Sequence, residues 1–211
     1  MPDTLSALII ATGAAFAGAG VQYGFRRYTE AAQMRREIVE THLLQLQNCV
    51  ESLYYRANNL RHWDGRETMS DDYFTQTTAY AIGRVLAHES LLVSKGVYAK
   101  LSRNASIKRR VKASLHSLNR SFDDQSFLYY HRLQLGEMAL DADRVVSYTQ
   151  FSARWPEERF AVAVASVSRF VASVSDTRLD TIGAEAEKLV ALLAEQTDVP
   201  SALELAGSES D

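Results

Sequence analysis

Residues 39–60 read VETHLLQLQNCVESLYYRANNL and contain the clearest repeat in the chain. Apolar side chains recur there at alternating steps of four and three residues, the spacing of the a and d positions of a heptad. Leu44, Tyr54 and Tyr55 are outside this seam, which favours packing in a helical bundle over a free two-stranded coiled coil. The seam consists of Val39, Leu43, Leu46, Val50, Leu53, Ala57 and Leu60.

The composition around this helix predicts an all-α chain. Proline occurs only three times in 211 residues, and no Asn-Gly or Gly-Gly hairpin signal is present. Ser70 followed by two aspartates predicts a capped helix start. The predicted helices cover 71–94, 102–124, 127–140 and 147–155, then one opening at Pro156 and one capped by Asp176 or Thr177 that ends near residue 196.

The first residues indicate a single membrane anchor. Leu5 to Val21 is almost wholly apolar, and Arg26 and Arg27 follow closely. The apolar stretch reaches the lower limit of about 17 residues for a spanning helix, and flanking basic residues prefer the cytoplasm. We therefore expect an anchor at 1–24, a cytoplasmic helical bundle at 25–197 and a disordered acidic tail at 198–211. A signal peptide and a buried first helix are the alternatives.

Known catalytic patterns are missing from the sequence. Cys49 is the only cysteine, so no internal disulfide is possible, and its place between apolar seam positions favours packing over reactivity. No HExxH, phosphate-binding glycine loop, dinucleotide fingerprint or nucleophile elbow occurs. The sequence predicts neither a metal site nor a cofactor, and it favours binding over turnover.

A basic segment free of acids covers residues 95–120. With the chain held near a membrane, such a segment could rest on anionic lipid. It could also bind nucleic acid, although Tyr98 is its only aromatic side chain. A third alternative is that its charges are solvated or are paired with acids in the last third of the chain. The basic residues are Lys95, Lys100, Arg103, Lys108, Arg109, Arg110, Lys112 and Arg120, and the lipid-binding candidates are Lys108, Arg109, Arg110 and Lys112.

Polar side chains on the predicted apolar helices form a second candidate group. Buried polar residues usually form hydrogen-bonded networks, because an unpaired buried charge is costly. The alternative is a ligand pocket between helices, lined by tyrosines 54, 55, 80 and 130. The candidates are Arg56, Arg84, His88, Glu89, Arg132 and Glu137.

These patterns predict a membrane-anchored interaction or scaffold protein at the cell membrane, with most of the chain cytoplasmic. The seam of the first bundle helix is the expected surface for a protein partner or for homo-oligomerisation. The alternatives are a small-molecule sensor or enzyme using the pocket, and a peripheral anionic-lipid binder using residues 95–120. The surface candidates are Val39, Leu43, Leu46, Val50 and Leu53.

Overall fold

The computed structural model describes residues 22–34, 36–37, 42–62, 71–97 and 105–203. The chain divides into two compact units, residues 1–38 and residues 39–211. In the first unit, residues 22–34 and 36–37 are helical, and Arg26 Nε donates to Glu30 Oε1 at 2.9 Å. Residues 1–21, most of the predicted anchor, lie outside the described ranges. Within those ranges, no single helix is both long and apolar enough to cross a membrane. The helical segments Glu158–Ser173 and Asp176–Thr197, which meet at a bend, reach that length and composition only when they are taken together.

The second unit is a helical bundle, as the all-α prediction required. A short antiparallel hairpin of β1 (Leu140–Asp141) and β2 (Arg144–Val145) links two of its helices, and a 3-10 turn at Glu158–Phe160 precedes another. Its described residues form seven α-helices: α1 Leu44–His62, α2 Asp71–Ser94, α3 Ala105–Ser121, α4 Tyr129–Met138, α5 Tyr148–Arg154, α6 Ala161–Ser173 and α7 Asp176–Thr197.

The heptad seam forms the centre of this bundle. Helix α1 packs against α7 and α2. The seam residues from Leu43 to Leu60 are at most 5% exposed, whereas Val39 lies outside the described residues. Association of two chains through Leu43, Leu46, Val50 and Leu53 would therefore require α1 to separate from α7.

Small side chains allow α2 and α4 to pack closely. A Cβ atom on Gly83 would lie 2.8 Å from the carbonyl oxygen of Leu135, and one on Gly136 would lie 3.1 Å from the Cβ of Leu86. The first distance excludes any side chain at Gly83 unless the backbone moves, and the second would require Leu86 to shift by a few tenths of an ångström. This crossing fixes the position of α4, whose first turn lies beside the end of α3.

The last helix ends at Thr197, close to its predicted end near residue 196, but its start and the segment after it differ from the prediction. Its N-cap is Ser175, whose Oγ accepts from the Arg178 amide at 3.3 Å, rather than Asp176 or Thr177. After α7 the chain continues to pack: Gln47 donates to the Val199 carbonyl oxygen at 3.3 Å, and Ser201 is 1% exposed. Residues 198–203, which the sequence placed in the disordered tail, thus contact α1, and residues 204–211 lie outside the described ranges.

Candidate anion-binding face

Helix α3 has two distinct faces. Val111, Leu115 and Leu118 are at most 2% exposed and point into the bundle, where α3 packs against α7. On the opposite side, Arg109, Lys112, His116 and Arg120 are all exposed. At about 100° per residue these four positions fall within about 80° of arc, and they extend for about 16 Å along the axis. We call these four residues the basic face.

The charges of the basic face are not neutralised by ion pairs. No described acidic side chain forms an ion pair with Arg109, Lys112 or Arg120. Glu89 of α2 lies close enough to His116 and Lys112 to interact with their charges, but it is half-buried and accepts from the Asn119 side chain at 3.5 Å. Burial raises the pKa of Glu89, while Asn119, His116 and Lys112 act to lower it.

The other basic residues of segment 95–120 are arranged differently. Arg110 pairs with Glu195 of α7 at 3.2 Å, and Lys95 pairs with Asp143 of the hairpin turn at 2.6 Å. Lys108 is half-buried beside the basic face, and Lys100 and Arg103 lie outside the described residues. Folding thus divides the predicted lipid-binding set, leaving Arg109 and Lys112 exposed and unpaired among described residues.

A cleft opens at the C-terminal end of the basic face. It lies between the last turns of α3 and the first turn of α4, and its volume is about 410 Å³. Arg120 and His116 line it from α3, and Tyr129 lines it from α4. Its lining residues are His116, Asn119, Arg120, Asp123, Tyr129 and Arg132.

Arg132 forms the rigid floor of this cleft. It is only 2% exposed; its Nε donates to Asn119 Oδ1 at 2.9 Å and its Nη1 donates to the Phe127 carbonyl oxygen at 2.8 Å. Its Nη2 forms an ion pair with Asp123 at 2.5 Å. The guanidinium carbon also lies 5.8 Å and 5.7 Å from the ring centres of Phe127 and Tyr129. The side-chain partners of Arg132 are therefore Asp123 and Asn119, rather than the candidate acids Glu89 and Glu137.

Exposed apolar side chains surround the start of α4. Leu128, Tyr129 and Tyr130 are between 54% and 64% exposed, and Leu133 is 38% exposed. A grouping of this kind beside positive charge is typical of surfaces that contact a partner or a membrane interface. The sequence pattern indicated Tyr130 only as a pocket-lining candidate, because it did not place these residues next to α3.

Arg84 and His88 belong to a separate cluster inside the bundle. His88 is 4% exposed, and its pKa is lowered to about 4, chiefly by burial and further by the charges of Arg84 and His42. The Arg84 guanidinium carbon lies 5.4 Å from the centre of the Tyr80 ring. Cys49 is fully buried, and burial raises the pKa of its thiol despite the nearby Arg84. A buried thiol with a raised pKa is a poor nucleophile.

The remaining polar candidates lie elsewhere. Arg56 is half-buried with its guanidinium carbon 5.8 Å from the centre of the Phe74 ring, and burial lowers its pKa. Glu137 is exposed on α4, while Glu89 reaches Arg132 indirectly through Asn119. The structure therefore separates the six predicted residues into several places and does not join Arg84, His88 and Glu137 in one pocket among the described residues.

One polar pair was not expected from the sequence. Ser166 Oγ lies 2.8 Å from His131 Nδ1, an arrangement also found where a histidine activates a serine. Ser166 is fully buried, so no substrate can reach it in this structure. Among the described residues, no group of three or more His, Cys, Asp or Glu side chains is placed to hold a metal ion.

No protein-family model matches this chain, and no curated protein and no solved structure matches it at a significant level. Its function must therefore be inferred from the charges, distances and burial of its own residues.

Proposed function

We propose that this protein is a membrane-anchored helical interaction module whose bundle rests on an anionic lipid surface through the basic face of α3. The observation that carries this proposal is the arrangement of Arg109, Lys112 and Arg120. All three are exposed on one side of a single helix and form no ion pair with any described residue. The seam of α1 is not the proposed surface, because its described residues are buried within the single chain.

The size of the expected attraction follows from the number of charges. Each Lys or Arg near an anionic leaflet contributes about 1 kcal/mol, and the effect is screened over about 8 Å at physiological ionic strength. Three such residues would therefore raise the affinity for the surface by about two orders of magnitude.

The aromatic residues beside the cleft support lipid over nucleic acid. Tyrosine prefers the membrane interface, where its ring contacts the acyl boundary and its hydroxyl group remains hydrated. Tyr129 and Tyr130 are exposed at the end of the basic face, together with Leu128. A nucleic-acid site would need more phosphate contacts than three basic side chains provide, and the chain carries a net charge of −3.

The N-terminal segment has a proposed role of its own, that of a membrane anchor. An anchor in residues 1–24 would keep the second unit close to one leaflet, so that a weak surface attraction would be enough to orient it. Full-length protein should then resist alkaline extraction from membranes, and a version without residues 1–24 should be released. Recovery of both proteins in the soluble fraction would remove the anchor from the proposal.

The basic face is tested with the version that lacks residues 1–24, which keeps every residue of the second unit. Its binding to phosphatidylcholine vesicles should increase when phosphatidylglycerol is added and should decrease with salt. The double variant Arg109→Gln, Lys112→Gln should bind about 30-fold more weakly, since it loses about 2 kcal/mol.

A matched double variant controls for total charge. Arg169→Gln with Lys188→Gln removes the same two positive charges from exposed positions on α6 and α7. This control should bind like the parent protein. Equal loss in both double variants would show that only net charge matters, and no loss in either would show that the basic face does not contact lipid.

A further inference from the structure

The cleft at the end of the basic face is open to solvent and is large enough to hold a small ligand. Its volume of about 410 Å³ falls within the range of about 300 to 1,000 Å³ that is usual for small-molecule pockets. Every lining side chain carries a hydrogen-bonding group, and the group contains two arginines, one histidine and one aspartate. A small ligand that carries an anionic group would therefore find several hydrogen-bonding partners in this cleft.

The floor of the cleft is positive and held in advance. Arg132 is nearly fully buried, and Asn119, Asp123 and the Phe127 carbonyl oxygen fix its guanidinium group. The rings of Phe127 and Tyr129 restrict it further. These three bonds use three of the five guanidinium N–H groups, so two remain for an anion, and the fixed position of the arginine lowers the entropy that binding would cost.

The mouth of the cleft supplies a second, unpaired positive charge. Arg120 lies in the last turn of α3, is exposed, and forms no ion pair with any described residue. Asp123 is the only acid among the lining residues, and its Oδ1 is already bound to Arg132. Arg120, Arg132 and Asp123 together carry one net positive charge, which favours an anion over a cation or a neutral ligand.

We infer that this cleft binds a single phosphate group, held between Arg120 and Arg132, with the ring of Tyr129 against the group that carries the phosphate. Arginine matches the geometry of phosphate oxygens with paired N–H donors, which a lysine cannot do. The phosphate could belong to a lipid headgroup or to a soluble phosphate monoester. If the phosphate belongs to a lipid headgroup, the site rests on the proposed function and extends it. If the phosphate belongs to a soluble monoester, the site is independent of the proposed function.

The test uses full-length protein and sn-glycerol 3-phosphate as the soluble probe, followed by calorimetry or by changes in the NMR spectrum. We expect saturable binding with a Kd of about 1 mM, as is usual for a few charge-assisted bonds in an open site. Arg120→Gln should raise that Kd about tenfold or more. Because Arg120 is exposed, this variant should keep its fold, which circular dichroism checks.

Arg109→Gln provides the matched control, because Arg109 lies on the same face of α3 but does not line the cleft. It should leave the Kd for glycerol 3-phosphate unchanged. Non-saturable binding, or equal weakening by the two substitutions, would overturn the inference and would indicate general charge attraction instead.

Vesicles of phosphatidylcholine with phosphatidic acid then identify the source of the phosphate. If the lipid headgroup enters the cleft, Arg120→Gln should weaken vesicle binding more than Arg109→Gln does. If the two substitutions weaken vesicle binding equally while the soluble probe still depends on Arg120, the ligand is a soluble phosphate. If the double variant Arg109→Gln, Lys112→Gln binds vesicles as well as the parent protein, the basic face does not contact lipid. This result is distinct from the outcome for the cleft.

Discussion

Acidification should destabilise this protein through His88, which lies on α2 inside the bundle. The side chain is 4% exposed, and its pKa is lowered to about 4, first by burial and then by the charges of Arg84 and His42. In the unfolded chain the same imidazole has its ordinary pKa near 6.5. Between these two values the unfolded chain binds a proton that the folded chain excludes, so the free energy of unfolding must fall as the pH falls.

The size of this effect follows from the two pKa values. The part of the free energy of unfolding that depends on neutral His88 is fully present above pH 6.5 and is lost progressively as the pH falls towards 4. Since a tenfold change in a protonation equilibrium corresponds to about 1.4 kcal/mol, the loss from pH 7 to pH 4 is about 3 kcal/mol. Such a loss is a large part of the stability of a typical domain, which is about 5 to 15 kcal/mol.

Urea unfolding at a series of pH values measures this loss directly. His88→Gln removes the titrating group, so the variant should lose about 3 kcal/mol less than the parent protein between pH 7 and pH 4. Burial raises the pKa of Glu89, which acts in the opposite direction in this range. Because Glu89 is present in both proteins, its contribution cancels when the two pH profiles are compared.

Leu92→Ala is the control, since Leu92 is 1% exposed on the same helix and its replacement removes packing but no titrating group. It should keep the pH dependence of the parent protein. If His88→Gln and the parent protein lose equal stability on acidification, His88 does not exclude a proton in the folded state and the reasoning fails.

Three further predictions concern the packing of the bundle. Gly83→Ala should lower stability by about 1 to 3 kcal/mol, because its Cβ would lie 2.8 Å from the Leu135 carbonyl oxygen. Gly183→Ala should be neutral or stabilising, because the nearest neighbour of its Cβ would be 3.9 Å away. Thermal unfolding of both variants checks this pair, and the opposite ranking of the two would contradict it. Leu53→Ala should cost about 2 to 5 kcal/mol in urea unfolding because Leu53 is 2% exposed in the core, and a loss below about 1 kcal/mol would place it at the surface. Ser147→Ala removes the capping box of α5 and should cost about 1 kcal/mol, and an unchanged midpoint of unfolding would show that the cap contributes nothing.

Helix positions were the most predictable part of the fold, because their signals are local. The predicted range 71–94 agrees with α2, since two aspartates mark its start and Gly96, with a φ of 62°, follows its end. The hairpin between α4 and α5 was missed. Its turn contains Ala142 with a φ of 49°, a conformation that alanine rarely adopts and that no Gly or Asn announced.

The candidate site could be predicted only in part. The sequence showed an acid-free basic segment, but only the bundle determines which charges pair with other helices and which remain exposed. Arg110 meets Glu195 from a distant part of the chain, and Arg132 meets Asp123 because the connection between α3 and α4 turns back on itself. Such partners depend on tertiary packing, and the pattern of one helix does not contain that information.

The proposed contact between the basic face of α3 and an anionic membrane is tested most directly by a fluorescent probe on that face. Cys49 is fully buried, so a cysteine introduced at an exposed position can be labelled selectively with an environment-sensitive dye. Ala113 lies beside Arg109 and Lys112 on the exposed side of α3, and Ala153, exposed on α5, provides the control position. On adding vesicles that contain phosphatidylglycerol, the dye at position 113 should shift its emission to the blue while the dye at position 153 does not. Unchanged emission at position 113, or equal shifts at both positions, would contradict the claim.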